Sequence, residues 1–138
     1  MKKYRIFGTT ADVGVVSSGI SMEEAFEAQA AGMFAVMVDL RSVRPLVAFK
    51  VEAQGDGPER LLSSFLEELL FIFDSKQVFL KGFRIISLHG GKVTAEARGE
   101  EIDRARHVIK TPVKAVTHHM MEVREYKGRF RTKVVYDI

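Results

Sequence analysis

At 138 residues the chain fits one ordinary domain, and 46% hydrophobic with 28% charged residues is the balance of a globular protein with its own core. It has no cysteine, which excludes disulfides and thiolate metal sites. The net charge of +3 is unevenly spread: residues 104–138 hold nine Lys/Arg against three Asp/Glu (+6), and residues 1–103 hold twelve against fifteen (−3).

No stretch approaches the roughly 18 apolar residues of a membrane span. The opening MKKYRIFGTTADVG lacks the apolar run of a signal peptide. A soluble, cytoplasmic protein is expected. There is no repeat, low-complexity tract or Pro/Ser linker, so residues 1–138 are expected to form a single domain.

Lys3–Phe7 and Val13–Ser17 alternate as short strands around a TTAD turn. SMEE then opens a helix, with Ser21 as N-cap and Glu24 three residues on. Phe26, Ala30, Met33, Phe34 and Met37 recur at helical spacing, which predicts a helix ending near Val36. Leu46–Ala53 alternates, with Val47, Phe49, Val51 and Ala53 on one face, as in a half-buried strand. Pro58 suits a first helical turn. The helix after it carries Leu61, Leu62, Phe65, Leu66, Leu69, Ile72 and Phe73 and is expected to be the central packing element.

From Val78 the pattern is β. His89-Gly90-Gly91 is predicted to turn a hairpin, GEEIDRARHVIKT reads as polar and irregular, and VKAVTHHMMEVREY with FRTKVVYDI forms a last hairpin around Tyr126–Arg129. The order ββ-α-β-α-ββββ predicts an α+β fold, a largely antiparallel β-sheet packed with two main helices.

Asp12, Asp39 and Asp137 are the acids that could carry chemistry. Asp12 lies in a small, apolar stretch, Asp39 ends FAVMVDL, and Asp137 adjoins the α-carboxylate of Ile138. Asp12 also has a plain reading as a turn residue, and Asp39 as a loop acid or a cap for a following turn. If the chain ends meet, the carboxylates would repel one another unless a cation joined them, and hard cations take such oxygen ligands. His118 and His119, adjacent in the predicted strand, would point to opposite faces and could not share a metal. No phosphate-binding loop or nucleophile elbow occurs. A hydrolase built on the acids would have only His118 or His119 as general base.

The blocks TTADVG, AFEAQAAGMFAVMVD, LLSSFLEELLF, GEEID with RARH, VKAVTHH and the closing YDI, in this order over essentially the whole chain, resemble the archease family. The resemblance implies an archease-like α+β domain that is not itself an enzyme. It implies an activator of the RtcB-type RNA ligase of tRNA splicing, promoting guanylylation and multiple turnover and widening nucleotide use. It also implies a divalent cation, Ca²⁺ first with Mg²⁺ or Mn²⁺ as alternatives, at Asp12, Asp137, Ile138 and, with less support, Asp39. Asp39, Glu100 and Lys114 are the implied ligase contacts, with tRNA met indirectly or weakly. Two positions depart from the family pattern: Thr9 stands where His is usual before Thr-Ala-Asp, and His118 where Tyr is more usual. The competing readings are an RNA-binding module using Arg124, Lys127, Arg129, Arg131 and Lys133, or a protein chaperone or modulator in tRNA processing.

Overall fold

The computed structural model describes residues 3–8 and 11–138, so the expected TTAD turn and the Thr9 departure lie largely or wholly outside the described residues. Two antiparallel sheets and two helices make up the fold. The first sheet is built from β1 (Tyr4–Gly8), β2 (Asp12–Gly19), β8 (Arg129–Asp137) and β6 (Ala115–Val116), in that order, with β7 (Glu122–Tyr126) also pairing with β8. The second is β3 (Val47–Gln54), β5 (Lys92–Glu101) and β4 (Val78–His89).

The α+β class, the antiparallel pairing and the two helices are as expected; the strands divide between two sheets. Helix α1 (Met22–Met37) explains the division. Ala25, Phe26, Ala30, Met33, Phe34 and Met37 are buried, and so are Gln29 and Gly32 on other sides of the helix. A helix buried all round needs partners on more than one side. It packs on β1, β2 and β8 of the first sheet and on β4 of the second.

Helix α2 (Pro58–Lys76) was expected at the centre, but it is amphipathic: Leu61, Leu62, Phe65, Leu66 and Leu69 are buried while Phe71 is 65% exposed. Its apolar count misled because α1 hides its core role behind five alanines and a glycine. Small residues let a helix approach a sheet closely. At Gly32 an added Cβ would lie 2.4 Å from Val15 Cγ1.

The local signals were otherwise sound. The Ser21 hydroxyl accepts from the Glu24 N–H at 3.1 Å, although the Glu24 carboxylate pairs with Lys3. Gly90 and Gly91 both have positive φ, 62° and 70°, and so do Lys127 and Gly128, 53° and 76°. These are the two-residue turns whose twist suits antiparallel hairpins. The expected single strand through His118 and His119 is instead two strands, β6 and β7, separated by a turn in which both histidines are exposed. Among the described residues no helix is long and apolar enough to cross a membrane.

Candidate functional site

Strand β8 lies between β2 and the β6/β7 edge, so the last residues of the chain are laced into the middle of a sheet. The β2–β8 register sets Asp12 directly opposite Asp137, and β6 sets Ala115 on the other side of Asp137. Directly opposed residues share a face, with Cβ atoms about 5 Å apart. Val13, Val15 and Ser17 alternate with Asp12 and turn toward α1, as do their partners Tyr136, Val134 and Thr132. Asp12 and Asp137 therefore lie on the outer face, away from the helix. Asp12 is half-buried and Asp137 exposed.

Ile138 comes next in the alternation and packs against the hydrophobic core. Its side chain pins the end of β8, and the Lys114 N–H donates to the Asp137 carbonyl at 2.8 Å. The two-ended acidic corner expected from the sequence is thus assembled by strand pairing.

Asp39 does not complete a three-acid group with Asp12 and Asp137. It follows α1 and caps the short 3-10 turn Leu40–Ser42, accepting from the Arg41 N–H at 3.0 Å. The Arg41 guanidinium grips the same carboxylate through Nε at 3.1 Å and Nη2 at 2.8 Å. These hydrogen bonds hold the Asp39 pKa at about 2. Its oxygens are occupied by an arginine, which disfavours them as metal ligands.

Glu100 is also committed internally. It is 5% exposed and accepts from the Arg44 N–H at 3.1 Å, Arg44 Nε at 3.2 Å, Arg106 Nη2, and His107 Nε2 at 2.7 Å. His107 Nδ1 accepts from the Asp103 N–H at 2.9 Å, which assigns its proton to Nε2. Burial opposes ionisation of Glu100, but the hydrogen bonds from Arg106, His107 and the Arg44 backbone outweigh it and hold its pKa at about 2. Glu100 lies at the end of β5, so the stretch read as irregular begins as strand, and the cluster ties the segment after α1 to that strand end and the loop through His107. A partner meeting this region would touch the exposed Arg44 rather than Glu100 itself. Lys114 is exposed, next to Asp137 and beside a groove lined by Glu67, Leu70, Phe71 and Pro112.

As to cations, no three His, Cys, Asp or Glu side chains gather in metal-binding geometry among the described residues. The donors that meet are two facing carboxylates, an oxygen-only set that suits Ca²⁺ or Mg²⁺ and lacks the nitrogen or sulfur of a zinc site. His118 is instead engaged by Ser63, with Oγ and Nε2 3.2 Å apart.

Comparison with known proteins decides the lineage. Residues 4–138 match the model of the Archease protein family. The chain belongs to that family. A protein archease of Thermococcus gammatolerans is 39% identical over 142 residues, with both chains fully covered. The solution structure of Methanobacterium thermoautotrophicum protein 1598 superposes with a TM-score of 0.86 at 37% identity, each chain covered completely. A crystal structure of an archease, possible chaperone, from Thermotoga maritima shares the fold, with a TM-score of 0.64 at 21% identity over 96% of this chain and 94% of the other. The archease blocks read from the sequence thus fall at distinct places in the fold. Asp12 of TTADVG and Asp137 of YDI face each other at the acidic corner, whereas GEEID and RARH build the buried Glu100–His107 cluster.

Proposed function

We propose that this chain activates an RtcB-type RNA ligase, promoting its guanylylation and multiple turnover and widening its nucleotide use, without being a ligase itself. The observation that carries the reading is the opposition of Asp12 and Asp137 on the face of the sheet away from α1. Two like charges directly across an antiparallel pair are unfavourable. A cation or a cationic partner meeting both carboxylates would relieve that repulsion.

Asp12, Asp137 and the Ile138 carboxylate would hold the cation, Ca²⁺ as the archease resemblance implies, with Mg²⁺ or Mn²⁺ as alternatives that hard oxygen donors also suit. When bound, that ion supplies positive charge at the rim of the protein. The residues of the chain do the positioning: Ile138 anchors the strand end in the core, and β2 and β6 fix Asp137 from both sides. To activate, this corner must bind the nucleotide-accepting state of the ligase more tightly than the stalled state; equal affinity would shift nothing. A protein-directed role also accords with the description of the Thermotoga maritima protein as a possible chaperone.

The test is GTP-dependent guanylylation of the ligase from the same organism, in single and multiple turnover, with and without this protein. Stimulation by the wild type is expected, and its loss in Asp12→Ala and in a variant lacking Asp137 and Ile138. Folded wild type without effect, or full stimulation by Asp12→Ala, overturns the reading.

A further inference from the structure

The outer face that carries the acidic pair continues along the sheet, and its composition changes with distance. The register places successive rows of side chains across the strands. Moving away from Asp12 and Asp137, the first row holds Phe7, Gly14 and Val135. The next holds Arg5, Val16 and Lys133, with Glu122 on β7. Then come Ser18, Arg131 and Arg124, and finally Arg129 and Tyr126. Rows on one face of a strand are about 7 Å apart, so Lys133 stands roughly 14 Å and Arg131 roughly 20 Å from Asp137.

Arg5, Arg124, Arg131 and Lys133 surround a depression of about 710 Å³ on this face. Its one acid, Glu122, pairs with Arg124 at 2.8 Å. Two aromatic rings stand among the cations. Phe7, 36% exposed, extends over Gly14, where a Cβ would come within 2.2 Å of the ring, and Lys133 Nζ lies 5.6 Å from the Phe7 ring centroid. Tyr126 is 66% exposed at the far end. Four cations against one acid make an anion-seeking surface. Exposed rings interleaved with cations on a rigid sheet add a feature that an acidic peptide does not need but a chain of phosphates and bases does: stacking surfaces beside charge.

We propose that this face binds single-stranded RNA directly. Arg5, Arg131 and Lys133 meet phosphates, and Phe7 and Tyr126 offer their faces to bases. Arg5 and Phe7 come from the N-terminal strand, so the site extends beyond the basic hairpin and requires the β1–β2–β8 pairing. Its orientation rests on the proposed ligase role: with the acidic corner at the ligase's centre, the strand leaving that centre runs along the rows toward Tyr126.

The test uses the isolated protein and a fluorescein-labelled oligouridylate of about 12 nucleotides, read by anisotropy across a salt series. Binding is expected at low salt, with log K falling against log salt at a slope of about −2 for three phosphate contacts. Arg131→Glu with Lys133→Glu should weaken it at least tenfold, and Tyr126→Ala about fivefold. Lys50→Glu with Lys92→Glu, on the second sheet, should leave it unchanged. Thermal melts confirm that each variant is folded, and Arg5→Met provides a milder change on a different strand.

No binding at low salt, equal loss in the Lys50/Lys92 pair, or equal affinity for a duplex of the same length overturns the proposal. So does equally tight binding of a polyglutamate peptide, which would mark the face as a dock for an acidic protein. The first assay reads GMP transfer to the ligase and this one reads oligouridylate binding to the isolated protein, so failure here and failure of the ligase reading are separate results.

Discussion

The Tyr136 hydroxyl donates to Gln29 Oε1 at 2.7 Å, joining the strand that carries Asp137 to the central helix. The bond begins a chain of fixed direction. Gln29 Nε2 donates to the Val15 carbonyl at 3.0 Å and to Thr132 Oγ1 at 2.7 Å. Thr132 in turn lies 2.5 Å from Ser17, whose hydroxyl donates to the Ala25 carbonyl at 2.8 Å. With the Ser17 proton spent on Ala25, the Thr132 hydroxyl must donate to Ser17. Among the described residues, no buried side-chain polar atom lacks a partner.

Tyr136→Phe should therefore cost about 1–3 kcal/mol, because it strands a buried amide oxygen rather than merely removing one bond. Urea denaturation measures this directly. A loss below a few tenths of a kcal/mol would mean that the Gln29 oxygen finds another partner.

The facing acids make a prediction of opposite sign. In chelator, Asp137→Asn should stabilise the protein by a few tenths of a kcal/mol, since it removes one of two charges across a strand pair. Adding Ca²⁺ should reverse the order. A ligand held only by the folded wild type stabilises it by about 2.7 kcal/mol at a hundredfold excess over Kd, and the variant should gain much less. Thermal melts with Ca²⁺, Mg²⁺ and chelator separate these terms. Equal calcium shifts in both proteins would remove Asp137 from any cation site.

The sequence carried the local elements well and the long-range ones unevenly. Strand alternation, the Ser21 cap and the glycine turns are written in neighbouring residues, so periodicity and turn chemistry found them. That Asp12 meets Asp137 was suggested by the family resemblance and depends on β2 pairing with β8, over a hundred residues apart. The burial of Glu100 and the work of Gln29 were not legible. A polar residue flanked by alanines or charges reads as surface until its partners are known, and those partners come from distant segments. Arg5 and Phe7 were missed for the same reason: only the register puts them beside Lys133.

Acid should loosen the loop cluster before it unfolds the sheets. Glu100 titrates near 2 in the fold, below its ordinary value of 4.5. A carboxylate with a depressed folded pKa contributes stability that is present above the unfolded value and lost as pH falls through the folded one. The contribution of Glu100 should thus be complete above about pH 4.5 and fade toward pH 2. Glu100→Gln should be less stable than wild type at neutral pH, and the gap should close across that window. Denaturant titrations of both proteins from neutral pH downward test it; a constant gap would show that hydrogen bonding alone, without the charge, holds Arg44 and Arg106.

Gly32→Ala should destabilise the protein although it improves a helix. Glycine inside a helix ordinarily costs about 1 kcal/mol against alanine, so the substitution should help an isolated α1. In the fold the new Cβ would fall 2.4 Å from Val15 Cγ1 and 3.2 Å from the Tyr4 ring. Val15 is fully buried and β-branched, with little rotamer freedom to withdraw. Relieving the contact must push α1 off β2, and overpacking of this kind costs about 1–3 kcal/mol. The penalty equals or exceeds the propensity gain, and the shift strains the Gln29–Val15 and Ser17–Ala25 hydrogen bonds as well. The expected result is a net loss of stability, largely restored by Val15→Ala in the double variant. A single variant more stable than wild type would show that the helix–sheet spacing is soft at this point, and that α1 does not hold the β2–β8 pair beneath the acidic corner as tightly as the packing implies.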